Sequence, residues 1–424
     1  MYDLKFVRSN EARLREAIAL KGDHADLDRI LDLDRRRREI LVEVEALKSE
    51  RNRRSQEIGK GKSAGQDVSE AIAATRTLGD RVQTQDEAVR AIDGEIAELL
   101  QWVPNLPHPS VPPGDATANQ VVRTWGEPRS GAGLLDHLTL GRELDLIDPS
   151  AGSRLSGSGF VVFTGMGARL ERALIDFMLD RHVAHGYREM RVPYMTRGET
   201  LFGCGQLPKL REDMYAITGE DLYLIPTAEV PLTNVYREVE LTEAELPLHL
   251  VAYSPCFRRE AGTYGKETRG LIRVHQFDKV EMVRLVTPET SCEALEQLTA
   301  DAEGVLQALE LPYRVVLLAA GDLSFASAKC YDLELWAPGE GRWLEVSSCS
   351  NFEDFQARRI GLRYRAADGK LRHLHTLNGS GVALPRLTVA LLEHYQTPAG
   401  TVEVPAVLRP YLGGLTEITP PRPV

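Results

Sequence analysis

Between Leu27 and Leu100 the chain has no proline and no cysteine, and its apolar residues return at steps of three and four. That period belongs to helices that pack on a partner along one stripe. In the second half of the segment Leu78, Val82, Gln85, Val89, Ile92, Ile96 and Leu99 mark such a seam, and in the first half Leu27, Ile30, Leu41, Val44 and Ile58 complement it. Gly59, Gly61 and Gly65 interrupt the pattern and are expected to form the turn of an antiparallel pair. Helices of roughly 35 residues at about 1.5 Å per residue make an arm on the order of 50 Å long, too thin to enclose an enzyme site. Lys48, Arg51, Arg53, Arg54, Lys60 and Lys62 crowd toward its tip against only Glu50 and Glu57, and Arg35 and Arg36 open a basic run lower down. Phosphate is a natural partner for such a strip, although charges also merely solvate two-helix arms, and charge alone leaves both open.

At 424 residues the chain exceeds one ordinary domain. The proline-rich run from Val103 to Gly114 ends the second long helix and reads as a semi-rigid linker. The expected domains are therefore 1–102, the linker 103–114, and 115–424. In the last, helical stretches (Ala168–His185, Glu289–Glu310, Leu387–Tyr395) interleave with β-rich runs (Leu222–Pro226, Leu271–Arg284, Tyr313–Leu318, Arg342–Val346), which makes it α+β. A net charge of −11 gives no global attraction for nucleic acid, so any such contact must be local. No apolar run has the length of a membrane helix and the first ten residues carry no signal core, so a soluble, cytoplasmic chain is expected. Five scattered cysteines form no C-x-x-C, and His373 and His375 have no third ligand nearby, so neither a disulfide framework nor zinc is expected. P-loop, dinucleotide, nucleophile-elbow and H-E-x-x-H templates all fail.

Chemistry concentrates between Tyr253 and Met282, which reads as strand, glycine-punctuated loop, strand. Alternation places Arg258 and Glu260 on one side, and Arg273, His275, Phe277 and Glu281 on one face of the return strand. Arginine offers a bidentate fork to phosphate, glutamate accepts from an amine, and phenylalanine gives a base a flat face.

The wording Phe257-Arg-Arg-Glu-Ala-Gly262, followed by His275-Gln-Phe-Asp-Lys-Val-Glu281, resembles motif 2 of the class II aminoacyl-tRNA synthetases, in the form used by the seryl-tRNA synthetase family. The segment Arg169–Pro193 resembles motif 1, Gly379–Arg386 resembles motif 3, and Thr227-Ala228-Glu229, Glu345–Ser348 and Ser350–Gln356 also match, so the likeness spans nearly the whole chain. It implies an antiparallel β-sheet flanked by helices behind the arm, and a ligase forming aminoacyl-tRNA. The substrates would be ATP, L-serine and tRNA(Ser), with tRNA(Sec) as a further candidate, and Mg²⁺ as the metal. The arm's basic residues would grip tRNA across a homodimer.

Roles follow from the same resemblance. Arg258 would hold the α-phosphate, Arg386 the γ-phosphate, and Glu260 the adenine amine, with Phe277 stacking on the purine. Arg259, Val274, Val346 and Ser347 would complete the ATP site, and Glu345 and Ser348 would ligate Mg²⁺. Thr227 and Glu229 would meet the α-amino group of serine, with Ala228 between them in the serine site, while Glu281 and Ser380 would meet its hydroxyl. Leu384-Pro385 departs from the valine and glycine of many relatives, but proline is tolerated in a first helical turn. Two rival readings stand beside this one: a synthetase-like ligase that loads a carrier protein, and an RNA-binding protein with a degenerate catalytic domain.

Overall fold

The long helices begin and end where their local chemistry allows. In the computed structural model, which describes residues 1–261 and 270–421, α1 runs Leu27–Ser63 and α2 runs Ser69–Leu100. The Asp26 side chain accepts the Arg29 N–H at 2.9 Å and caps the start of α1. Leu27, Ile30, Leu33, Val44 and Leu47 are buried on α1, and Val82, Val89, Ile92, Ile96 and Leu100 on α2. Leu33, Leu47 and Leu100 thus join the seam, whereas Leu41, Ile58, Leu78 and Leu99 are only partly covered. Ion pairs Arg29–Glu95 (2.7 Å), Arg37–Asp93 (2.5 Å) and Lys48–Asp86 (3.0 Å) connect rising positions on α1 to falling positions on α2, so the pair is antiparallel. Gly59 and Gly61 lie inside α1 rather than in the turn, which falls at residues 64–68 with Gly65 at φ +71°. Gly61 is small for a packing reason: a Cβ there would stand 2.8 Å from Val68 Cγ1 on the returning chain.

By their internal contacts the residues divide into Met1–Pro104 and Asn105–Val424. The proline-rich stretch is not a free spacer beyond that division. Asn105 is buried and donates from Nδ2 to Ala326 O (2.9 Å) and Phe352 O (2.8 Å), while the His108 N–H reaches Ala328 O at 2.8 Å. Prolines lack a donor, and among the remaining backbone N–H groups those of Asn105 (to Phe325 O, 3.0 Å) and His108 tie the stretch to the body of the second unit.

That unit is built on eight strands: β1 (Gln120–Trp125), β2 (Arg188–Glu189), β3 (Leu248–Phe257), β4 (Gln276–Val286), β5 (Tyr313–Leu317), β6 (Lys329–Ala337), β7 (Arg342–Asn351) and β8 (His375–Ala383). Their order is β1-β5-β6-β7-β8-β4-β3-β2, antiparallel except for the β2/β3 edge. Helices α3 (Gly165–Ala184), α4 (Ser291–Ala308) and α5 (Leu384–Tyr395) pack on this sheet. Strand β4 shows how the two faces divide. Val280, Met282 and Val286 enter the main core with the helices, whereas Val283 and Leu285 join a second cluster with Leu232, Ala252 and Ile360. The even-numbered face is therefore core, and the odd-numbered face is free toward its start to line a site. Residues 271–275 are not part of the strand, as the β-rich run had suggested, because His275 gives its N–H to Gly159 O (3.0 Å).

Candidate active site

A cavity of about 740 Å³ opens over the odd-numbered face of β4. Phe277, Lys279 and Glu281 line it at spacing two, and directly across from Glu281 on β8 stands Ser380, with Asn378 two residues before it on the same face. The buried Glu281 carboxylate collects Lys279 Nζ at 2.7 Å, Asn378 Nδ2 at 2.9 Å and Ser380 Oγ at 3.3 Å. Lys279 also donates to Thr227 Oγ1 at 2.9 Å, which joins the start of the short helix Glu229–Asn234 to the sheet. Glu229 is buried and accepts from Gln356 Nε2 at 2.7 Å. Burial first, then the negative Glu281, push its carboxyl up to about 7.

Arg258 stands just past the end of β3. Its backbone N–H reaches His275 O (2.9 Å), its Nε reaches Pro226 O (3.3 Å), and its guanidinium lies 5.2 Å from the centre of the Phe277 ring. Glu260 takes a positive φ of 51° and pairs with Arg273 at 2.5 Å. Both Glu260 and Arg273 line the cavity, yet neither lies on a strand, so their meeting is a product of the turn and not of alternation. His275 leaves the cavity altogether. Its Nδ1 approaches Arg258 O at 3.0 Å and its ring sits beside Phe160.

On β7, Glu345, Val346, Ser347 and Ser348 all reach the cavity, which plain alternation forbids. The register explains it: Leu333 pairs with Ser347 and Glu334 with Glu345, so Val346 is the extra residue of a β-bulge that turns the strand at this point. A second irregularity on β8, between Ser380 and Ala383, leads into α5, where Pro385 occupies the first turn and Arg386 faces the cavity. Arg386 donates from Nε to Ile272 O (3.0 Å) and from Nη1 to Glu345 O (2.7 Å), with the Glu345 carboxylate 3.5 Å away.

Two expected site residues fall outside. Ala228 is buried in the apolar cluster under the sheet, and Arg259 points to solvent, its backbone N–H held by Asp213 O at 2.9 Å. Among the cavity residues not singled out as site residues by sequence are Lys279, Asn378, Lys209 and Ile272. Lys279 alone carried a readable signal, since it lies between Phe277 and Glu281 at the same spacing.

Family models match at both ends of the chain: the seryl-tRNA synthetase N-terminal domain over residues 1–107, and the tRNA synthetase class II core domain (G, H, P, S and T) over 215–395. A serine–tRNA ligase of Caldanaerobacter subterraneus is 53% identical over 97% of this chain and 98% of its own. The chain belongs to the seryl-tRNA synthetase family. A serine–tRNA ligase of Syntrophomonas wolfei is 50% identical over the full length of both chains. Among solved structures, the seryl-tRNA synthetase of Pyrococcus horikoshii complexed with ATP has a TM-score of 0.95 at 38% identity, covering 100% of both chains. The cytoplasmic serine-tRNA ligase of Naegleria fowleri in complex with AMP follows at 0.90 and 29%, covering 99% of each.

The family's N-terminal model includes the arm, whose basic residues divide into two sets. Arg35 pairs with Asp32, Lys48 with Asp86, and Arg53 and Arg54 with Glu50, all at the arm's surface. Among the described residues Arg36, Arg51, Lys60 and Lys62 have no carboxylate within ion-pair distance. No helix of the described residues is long and apolar enough to cross a membrane.

Proposed function

We propose that the chain activates L-serine with ATP and transfers it to the 3′ end of tRNA(Ser), with tRNA(Sec) as a second acceptor to be tested. The observation that carries this is the Glu281–Ser380–Asn378–Lys279 constellation at the floor of the cavity, in a chain about half identical to serine–tRNA ligases over its full length. A floor of this kind satisfies a small hydroxyl and leaves polar groups unpaired under alanine. Thr227 and Glu229 are the proposed partners of the α-amino group. Arg258 and Arg386 approach from opposite elements, at positions suited to the α- and γ-phosphates, and Glu260 and Phe277 are proposed for the adenine.

In this reading the serine carboxylate attacks the α-phosphorus in line, the bond to the β-phosphate oxygen breaks, and pyrophosphate leaves. A terminal ribose hydroxyl of tRNA then attacks the activated carbonyl and AMP leaves. Positioning and charge neutralisation suffice, and no side-chain nucleophile is called for. The donors near the phosphates also fit Mg²⁺. Glu345 is half exposed to the cavity, Ser348 adds a hydroxyl, and the partly buried Asp332 carboxyl is pushed well above the usual range by desolvation and then by Glu345, a repulsion that a cation would relieve. When bound with ATP, the ion would neutralise phosphate charge. A homodimer and a cytoplasmic location belong to the same proposal. The rival readings are not favoured, since the likeness includes both the arm and the intact cavity.

Serine-dependent exchange of labelled pyrophosphate into ATP, run beside threonine, alanine and glycine without tRNA, tests the proposal. Exchange with serine alone is expected, and none with any of the four from folded protein with Mg²⁺ would overturn it.

Two further results are expected. Glu229 must be ionised to receive an ammonium group, so the KM for serine should rise about tenfold as pH falls from 8 to 6, and Glu229→Gln should flatten that profile. The sign for stability is opposite. A carboxyl raised to about 7 in the fold contributes stability below its unfolded value of about 4.3, and this is lost as pH rises through 7. At the arm tip, replacing Lys60 and Lys62 together by alanine should raise the KM for tRNA about tenfold at moderate salt, with a shallower salt dependence and unchanged exchange.

A further inference from the structure

Glu393 lies seven residues beyond Arg386 on α5, two turns on and so on the same side of the helix. Its carboxylate is fully buried and accepts the N–H groups of His137 (3.0 Å), Gly339 (2.8 Å) and Glu340 (3.0 Å). The His137 ring, also fully buried, brings Nδ1 to 3.2 Å from the same carboxylate, and its Nε2 stands 3.3 Å from the Leu271 N–H. An N–H aimed at Nε2 requires a lone pair there, so in the neutral ring Nδ1 carries the hydrogen and donates to Glu393. His137, Glu340 and Glu393 are spaced closely enough to suggest a cation site, but with Nδ1 committed as a donor the cluster is a hydrogen-bonded clamp.

What the clamp holds is one residue from the nucleotide-facing machinery. Leu271 and Ile272 both line the cavity, and Ile272 O receives Arg386 Nε at 3.0 Å. The contacts therefore close a circuit: Arg386 to Ile272, Leu271 to His137, His137 to Glu393, and back along α5 to Arg386. Gly270 permits it, because a Cβ there would stand 2.3 Å from His137 Nε2 and the residue sits at φ +64°. We propose that His137 is a positioning residue for Arg386, fixing the 271–272 backbone so that the guanidinium meets the phosphates of ATP. This inference rests on the proposed use of the cavity for ATP.

The test compares His137→Phe, which keeps the bulk but offers no acceptor, with His137→Gln, whose amide oxygen can stand near the place of Nε2. The full chain is used, with KM for ATP and for serine from exchange, the ATP dissociation constant from calorimetry without serine, and the thermal midpoint. His137→Phe should raise both ATP constants about tenfold while the serine KM moves less than about twofold, and His137→Gln should restore most of the loss. Unchanged ATP constants, ATP and serine constants rising together, or a Gln variant as stable as the parent yet no better than Phe would overturn the proposal. If His137→Phe does not fold, Gly270→Ala, which pushes a methyl group against Nε2, must show the same ATP-selective loss. Absence of serine-dependent exchange in the parent would refute the proposed function instead, and the calorimetric comparison would still judge His137.

Discussion

Arg258→Ala should reduce the turnover of serine-dependent exchange by on the order of 10³-fold, with a thermal midpoint close to the parent's. The size follows from the chemistry: negative charge builds on the equatorial oxygens of the α-phosphoryl group as it is transferred, and removing a fixed cation from such a transition state costs roughly that factor or more. The fold should tolerate the change because Arg258 lies beyond the end of β3 and, among the described residues, its side chain is held by Pro226 O and the face of Phe277. Arg258→Lys tests the reason. A point charge without the planar fork should recover part of the loss and not all of it. Turnover within tenfold of the parent in the alanine variant would remove Arg258 from the phosphate site.

Glu281→Gln should cut kcat/KM for serine by about 10²-fold and shrink the preference for serine over alanine by a similar factor. Three donors converge on this carboxylate, and one is the Lys279 ammonium. An amide of the same size accepts at one atom only and turns its own N–H₂ toward a donor, so the floor loses its ability to read a hydroxyl. Because shape is kept, thermal unfolding should separate this effect from a collapsed site. A serine-to-alanine ratio equal to the parent's would place hydroxyl recognition elsewhere in the cavity.

The arm was the most legible part of the molecule, because a repeat of three and four over two long helices survives errors at single positions. Its turn was not: Gly59 and Gly61 read as breakers, yet both lie inside the helix, and for Gly61 alone of the two does a tertiary contact, with Val68 on the returning chain, give a reason. In the second unit, Phe277 and Glu281 followed from alternation along one regular strand. Glu260, Arg273 and the run Glu345–Ser348 reach the cavity through a left-handed residue, a turn and a bulge, which alternation cannot supply. For Glu260 and the run Glu345–Ser348 the family resemblance brought in what periodicity could not, whereas Arg273 was named by an alternation that its turn does not follow. The resemblance also brought in Ala228 and Arg259, which stand in the same stretches of sequence but do not line the cavity. His137 and Glu393 stayed hidden for another reason: their partners are mostly backbone groups, and no pattern of side chains announces a carboxylate that serves three N–H groups.

Strand β4 gives Val280, Met282 and Val286 to the main apolar core, and from its opposite face gives Phe277, Lys279 and Glu281, near its start, to the cavity. A slip of one residue would therefore drive Lys279 and Glu281 into oil and hang Val280 and Met282 over the substrate. No collapsed but misaligned conformer of this sheet could bind serine. The ligand thus acts as a proofreader of the fold, since adding it stabilises only chains that have paired their strands in register.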